Sequence, residues 1–154
     1  MQAAAGAFWR RYLDSLPPAH PHRAASPDVF AFGDSAALAD ELAALVHAGR
    51  KRATASLPVE FAALGQPLPE KGDLAIVTRA DGVPVAVIEW TEVRHVPFQA
   101  VDAEFAADEG EGDGTLEWWR AAHRRYFGRV SRRHGGAFGE ATPVICQRFR
   151  VVWR

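Results

Sequence analysis

The sequence predicts an α+β domain in which helices flank a small β-barrel. Strand-like segments sit in the middle and at the end of the chain with helices between them, not in alternating βαβ units. In the central strand pair both alternating faces are largely apolar, which suits a covered or closed sheet. A C-terminal strand that closes a barrel would also remove exposed edges.

The first element is a helix over residues 3 to 16 anchored by Phe8, Trp9 and Tyr12, stopped by Pro17-Pro18 and the proline-rich run to Pro27. His20 and His22 in that run read as loop residues, because no third ligand lies nearby. Ser35 is the expected N-cap of a helix through His47, with Leu38, Leu42 and Leu45 as its apolar stripe and Gly49 as its C′ residue. A short helical turn follows over 59 to 64. Residues 74 to 78 and 83 to 91 read as strands joined at Asp81-Gly82, with 92 to 96 extending the second. A helix is expected over 98 to 107, then Gly110, Gly112 and Gly114 break the chain. Thr115 caps a helix to about Arg132, carrying Leu116, Trp119, His123, Tyr126 or Phe127 and Val130 on one face. Residues 144 to 153 form the last strand.

With 154 residues, 48% of them hydrophobic, the chain can bury a core as one domain without disulfides. A formal net charge of −1 excludes a strongly basic nucleic-acid-binding domain and favours a small ligand over a long RNA. Cys146 is the one cysteine, which fits a reducing compartment. The N-terminus does not read as a signal peptide, and no apolar run reaches the roughly 18 residues needed to cross a bilayer. The expected location is the cytoplasm, with no membrane partner.

Two segments carry candidate chemistry. In Gly49-Arg50-Lys51-Arg52-Ala53-Thr54-Ala55-Ser56, a lysine among arginines precedes two hydroxyls. A desolvated lysine can act as a base towards a hydroxyl or hold a phosphate as a point charge. Cations at a helix C-terminus are also favoured by the dipole whatever their function. The second segment, Glu109-Gly110-Glu111-Gly112-Asp113, alternates carboxylates with glycines. Glycine is costly to order, so the pattern suggests a backbone bent to place those carboxylates. Glu109, Glu111 and Asp113 are candidate ligands of a divalent cation, Mg²⁺ or Mn²⁺. Trp118 lies off the apolar stripe as a candidate base-stacking residue. His123 lies on it and reads as a core or supporting histidine. Most acids and arginines between Glu104 and Arg133 read as helix-end charges or as pairs along the helix, Glu117 being i, i+3 and i+7 from Arg120 and Arg124.

Taken in order, Phe32-Gly33-Asp34, Gly49 to Thr54, Lys71-Gly72-Asp73, Phe98 with Val101 to Phe105, the Glu109 to Asp113 run, Trp119, His123 and Gln147-Arg148-Phe149 resemble the ASCH family of the PUA-like superfamily. The resemblance covers residues 29 to 154 and leaves 1 to 28 as an N-terminal helix and proline-rich segment. It implies a PUA-like barrel with a cleft for RNA or a modified nucleoside. By motif, it implies Lys51, Thr54 and Glu109 as catalytic residues, with Arg50, Arg52, Ser56, Trp118 and Arg129 contacting substrate. Arg52 departs from the threonine of many members, and Glu111 and Asp113 stand beside Glu109 where small amidohydrolases have a different loop. The first expectation is a hydrolase of single-stranded RNA. An amidohydrolase of acylated cytidine nucleosides using the same residues is the alternative, and a non-catalytic RNA-binding module is the second.

Overall fold

The computed structural model describes residues 2 to 154. Ten elements follow in order: α1 (Ala3–Asp14), β1 (Asp28–Phe30), α2 (Ala36–His47), β2 (Ala53–Ser56), α3 (Pro58–Ala63), β3 (Leu74–Thr78), β4 (Pro84–Pro97), α4 (Ala103–Glu109), α5 (Leu116–Arg133) and β5 (Pro143–Trp153). The strands form one mixed sheet in the order β1-β3-β4-β5-β2. The α+β expectation holds, but the sheet is open. β5 lies inside it, between β4 and β2, instead of closing a barrel, so β1 and β2 are left as edges.

The chain divides into two compact units. The first contains residues up to Arg50, Lys71–Trp90 and Phe149–Arg154. Its α1 buries Ala5, Phe8, Trp9 and Tyr12, at i, i+3, i+4 and i+7, against Leu74, Ile76 and Val87. Ser35 caps α2 by accepting from the Leu38 amide at 3.2 Å. Gly49, at φ +76°, ends it in a Schellman turn, with the Arg50 amide donating to the Leu45 carbonyl at 2.9 Å. The buried face of α2 is Ala39, Leu42, Ala43 and Val46, which shares only Leu42 with the expected leucine stripe. β3 and β4 pair antiparallel across the Asp81-Gly82 turn, as the sequence predicts. β1, parallel to β3, is new. Three residues beside a proline-rich stretch carry no alternation long enough to read.

The second unit contains Lys51–Glu70 and Thr91–Arg148. Here β2 pairs antiparallel with β5, Ala55 opposite Cys146 and Thr54 opposite Gln147. Ala53, Ala55, Leu57, Phe98, Phe105, Trp119, Phe127, Val144 and Cys146 share one core. Residues 98 to 107 are not one helix. A single 3₁₀ turn at Phe98–Ala100 gives way to α4, which starts only after Asp102, whose carboxylate accepts from the Phe105 amide at 2.9 Å. α4 then runs to Glu109.

Candidate functional site

The second unit holds the candidate site. On α4, Phe105, Ala106 and Glu109 fall on one helical face at i, i+1 and i+4, so the face that packs on the core ends in a glutamate. Gly110 stops the helix there in the left-handed conformation, φ +69°. Opposite, the Arg52 amide donates to the Asp108 carbonyl at 2.7 Å and holds the start of β2 against the end of α4. Burial along this segment alternates, with Lys51, Ala53 and Ala55 inside. Lys51 and Glu109 are both only 1% exposed.

Their charges meet in a small network. The Lys51 Nζ donates to Glu109 Oε1 at 3.2 Å and to the Ala53 carbonyl at 2.8 Å, and lies 3.7 Å from Glu111 Oε2. Glu109 Oε2 accepts from the Trp119 indole N–H and from His123 Nε2, the latter at 3.1 Å. Trp119 and His123 are i, i+4 neighbours on α5, and their rings stack at 4.1 Å. His123 Nδ1 lies 2.8 Å from the Trp119 carbonyl. Both ring nitrogens therefore face acceptors, and only the imidazolium can donate to both.

The titration directions agree with that geometry. Burial alone would raise the Glu109 pKa, but the charge of Lys51, the charge and hydrogen bond of His123, and the Trp119 bond hold it at about 2. Burial would depress His123, yet Glu109 and the Trp119 carbonyl raise it above its ordinary value. Glu111 moves up, first from burial and then from the charge of Glu109, against the pull of Lys51. Burial pushes the Cys146 thiol up to about 12, with Glu109 adding to the shift, so it stays protonated and unreactive.

Among the described residues, the His, Cys, Asp and Glu groups close enough to share an ion are Glu109, Glu111 and His123, with ligand atoms within 4.8 Å of one another. Asp113, the third carboxylate expected in that role, is instead taken up by its own loop. It accepts from the Thr115 amide at 2.9 Å and hydroxyl at 2.7 Å. The remaining donor set does not fit a divalent cation. The Lys51 ammonium already lies within 4 Å of both glutamates, and Glu109 holds an imidazolium. A divalent ion would be a third cation there and would compete with both for the same two carboxylates.

The other predicted residues spread out. Thr54 and Ser56 are half-buried, and strand alternation sets them on the face of β2 opposite Ala53 and Ala55. Arg52 is exposed and bonds Asp108 at 2.9 Å. Arg148 shares that carboxylate at 2.8 Å, also bonds Glu92 at 2.6 Å, and lies over the Phe105 ring. Arg129 is exposed, with its guanidinium 5.9 Å from the Tyr126 ring centre. Arg50 is exposed in the first unit. Trp118, 37% exposed, covers Gly112 so closely that a Cβ there would come within 2.2 Å of its ring. Gly112 also has φ +57°, so glycine is required twice over. His123 and Trp119 are the members of the network that residue patterning alone places in the core. Their signals in the sequence are their place in the ASCH-like pattern and a titratable side chain one turn beyond a tryptophan on a buried helical face.

Residues 28–153 match the family model described as ASCH domain. The chain belongs to the ASCH domain family. The crystal structure of an ASCH domain from Lactobacillus crispatus is 34% identical, with a TM-score of 0.93 over 100% of this chain and 97% of that one. A protein from Enterococcus faecalis is 31% identical, with a TM-score of 0.85 over 99% of this chain and 90% of that one. A third structure, of a hypothetical protein, is 16% identical with a TM-score of 0.51 over 73% of this chain and 93% of that one, which bears on the fold alone. No curated protein matches the sequence. The ASCH neighbours have the PUA-like fold, and the family is generally linked to RNA binding. No helix among the described residues is long and apolar enough to cross a membrane.

Proposed function

We propose that this ASCH protein hydrolyses the acyl amide of an acylated cytidine without a metal ion. One observation carries the reading: the Lys51 ammonium lies between Glu109 and Glu111. That position supplies a fixed positive charge, beside the His123 imidazolium, for the oxyanion that forms when water attacks an amide carbonyl. Two cations against two carboxylates leave no excess positive charge to draw a phosphodiester into this site, whereas an amide binds neutral and gains its charge only as water attacks. The ribonuclease reading, which the sequence put first, is weakened on that ground. The family's link to RNA fits a modified cytidine, free or within a strand.

In this reaction Glu109 orients Lys51 and His123, and Trp119 and the backbone carbonyls hold that pair in place. Thr54, on the other face of β2, leaves water as the nucleophile. Trp118 offers an exposed indole beside the carboxylate loop on which the cytosine ring can stack.

The test is incubation with N4-acetylcytidine as free nucleoside, the same base within a single-stranded RNA, and an unmodified labelled RNA. The expected products are cytidine and acetate, with the unmodified strand uncut. Cleavage of unmodified RNA with no release of acetate from either acylated substrate would refute the amide reading.

A further inference from the structure

Resting on the amide reading, we propose that Gln147, with Thr54 beside it, binds the N4–H edge of the cytosine. Gln147 Oε1 accepts from the nitrogen that carries the acyl group, and the Thr54 hydroxyl donates to ring N3. Among the described residues, Gln147 Oε1 is a buried oxygen with no hydrogen-bond partner, on a side chain only 2% exposed. An unmade bond at a buried acceptor costs stability, so such an oxygen points to a donor that the chain itself does not supply. Arg120 Nε is in the same state, but Arg120 Nη2 bonds the Gln99 and Val101 carbonyls and holds that guanidinium from within the chain.

Gln147 on β5 stands directly opposite Thr54 on β2, and Ile145 opposite Ser56. Residues opposite one another share a face, with Cβ atoms about 5 Å apart. The other face of this strand pair, Ala53, Ala55, Val144 and Cys146, belongs to the apolar core with Phe105 and Trp119. Gln147 therefore turns away from that core, beside two hydroxyls. Thr54 and Ser56 are half-buried and β2 is an edge strand, so the hydroxyls are the part of this strip open to solvent. The strip also lies beside the charged network. Lys51 Nζ bonds the carbonyl of Ala53, the residue before Thr54.

The donors and acceptors match one edge of the substrate. Gln147, Thr54, Ser56 and Ile145 are all uncharged, as a neutral base requires. An acylated cytosine presents N4–H beside the N3 acceptor, and a carboxamide oxygen and a hydroxyl meet them as acceptor and donor. Stacking on Trp118 uses the face of the ring, and Gln147 with Thr54 its edge. A fixed N4–H holds the plane of the amide, and with it the carbonyl carbon that water attacks. The product keeps a hydrogen on N4, so cytidine itself is a ligand and the contact can be read without turnover.

The experiment measures the dissociation constants of cytidine and of N4,N4-dimethylcytidine, which lacks that hydrogen, for wild type, Gln147→Met and Thr54→Val. Wild type should bind cytidine about tenfold or more tighter than the dimethyl analogue. Gln147→Met should lose the preference and raise KM for N4-acetylcytidine about tenfold with kcat little changed. Its melting temperature should equal or exceed that of wild type, because the substitution removes the orphaned oxygen. Thr54→Val should weaken both ligands alike and keep the preference. Wild type that binds the two ligands equally, or a Gln147→Met protein that keeps the preference, would overturn the assignment. So would a lower melting temperature with unchanged affinity, the mark of a structural water on Gln147. A protein that shows the Gln147-dependent preference yet releases no acetate from N4-acetylcytidine would remove the amide reading and leave this contact standing.

Discussion

Replacing Lys51 with methionine is expected to cost about 3–5 kcal/mol of stability and to abolish amide hydrolysis. The stem of methionine is close in length, so the core loses little packing. What it loses is the cation between two carboxylates, one of them 1% exposed. Glu109 would be left buried with His123 as its one charged partner, and Glu111 would lose its nearest positive charge. For a chain of this length the melting temperature should fall by roughly 10 °C or more. The drop in kcat/KM should be at least about 10²-fold, the usual cost of removing one oxyanion-stabilising group. Lys51→Met/Glu109→Gln should recover part of the stability, because it removes the orphaned charge, and none of the activity. A double-mutant cycle on melting temperature would measure that coupling. A Lys51→Met protein as stable and as active as wild type would show that the ion pair does neither job.

The second large effect is a stability profile that falls on both sides of neutral pH. Glu109 has a folded pKa of about 2 against an ordinary 4.5, so its contribution is complete above pH 4.5 and is lost as pH falls towards 2. His123 has a folded pKa above its ordinary 6.5. Its contribution is complete below 6.5 and is lost as pH rises through the folded value. Glu111, also raised, costs stability as it ionises above 4.5 and partly offsets the gain from Glu109. The acid flank should be worth on the order of a few kcal/mol, and the alkaline flank is set by the upward direction of the His123 shift. Thermal melts from pH 3 to 9 read it directly, with His123→Gln as the comparison. In that variant the alkaline decline should disappear while the acid decline remains. An unchanged alkaline decline would mean that His123 is not the imidazolium partner of Glu109.

Much of this arrangement is legible in local sequence. The Ser35 and Thr115 caps, the Gly49 C-cap and the Asp81-Gly82 turn are decided by a few adjacent residues, and each forms as expected. The motif pattern also points to Lys51 and Glu109 together, although 58 residues separate them. Its limits are physical. A helix expected to end at 107 leaves Glu109 in a loop, whereas α4 runs on to the left-handed Gly110 and keeps Glu109 on its inward face. Asp113 looks equivalent to Glu111 because glycines flank both, but a side chain two residues before a threonine N-cap satisfies that turn. The second histidine bond and the committed oxygens of Glu109 depend on how α4 meets α5, which no window of sequence contains. The open sheet is of the same kind, since closure depends on where β5 inserts and not on its alternation.

The proposed reaction uses the Lys51 charge in place of a metal ion. The most direct test is the rate of N4-acetylcytidine hydrolysis by EDTA-stripped wild-type protein, before and after Mn²⁺ is added. The predicted result is an undiminished rate after stripping and no gain on adding the ion. Loss of activity in EDTA, restored by Mn²⁺, would contradict it and would put a divalent cation among Glu109, Glu111 and His123.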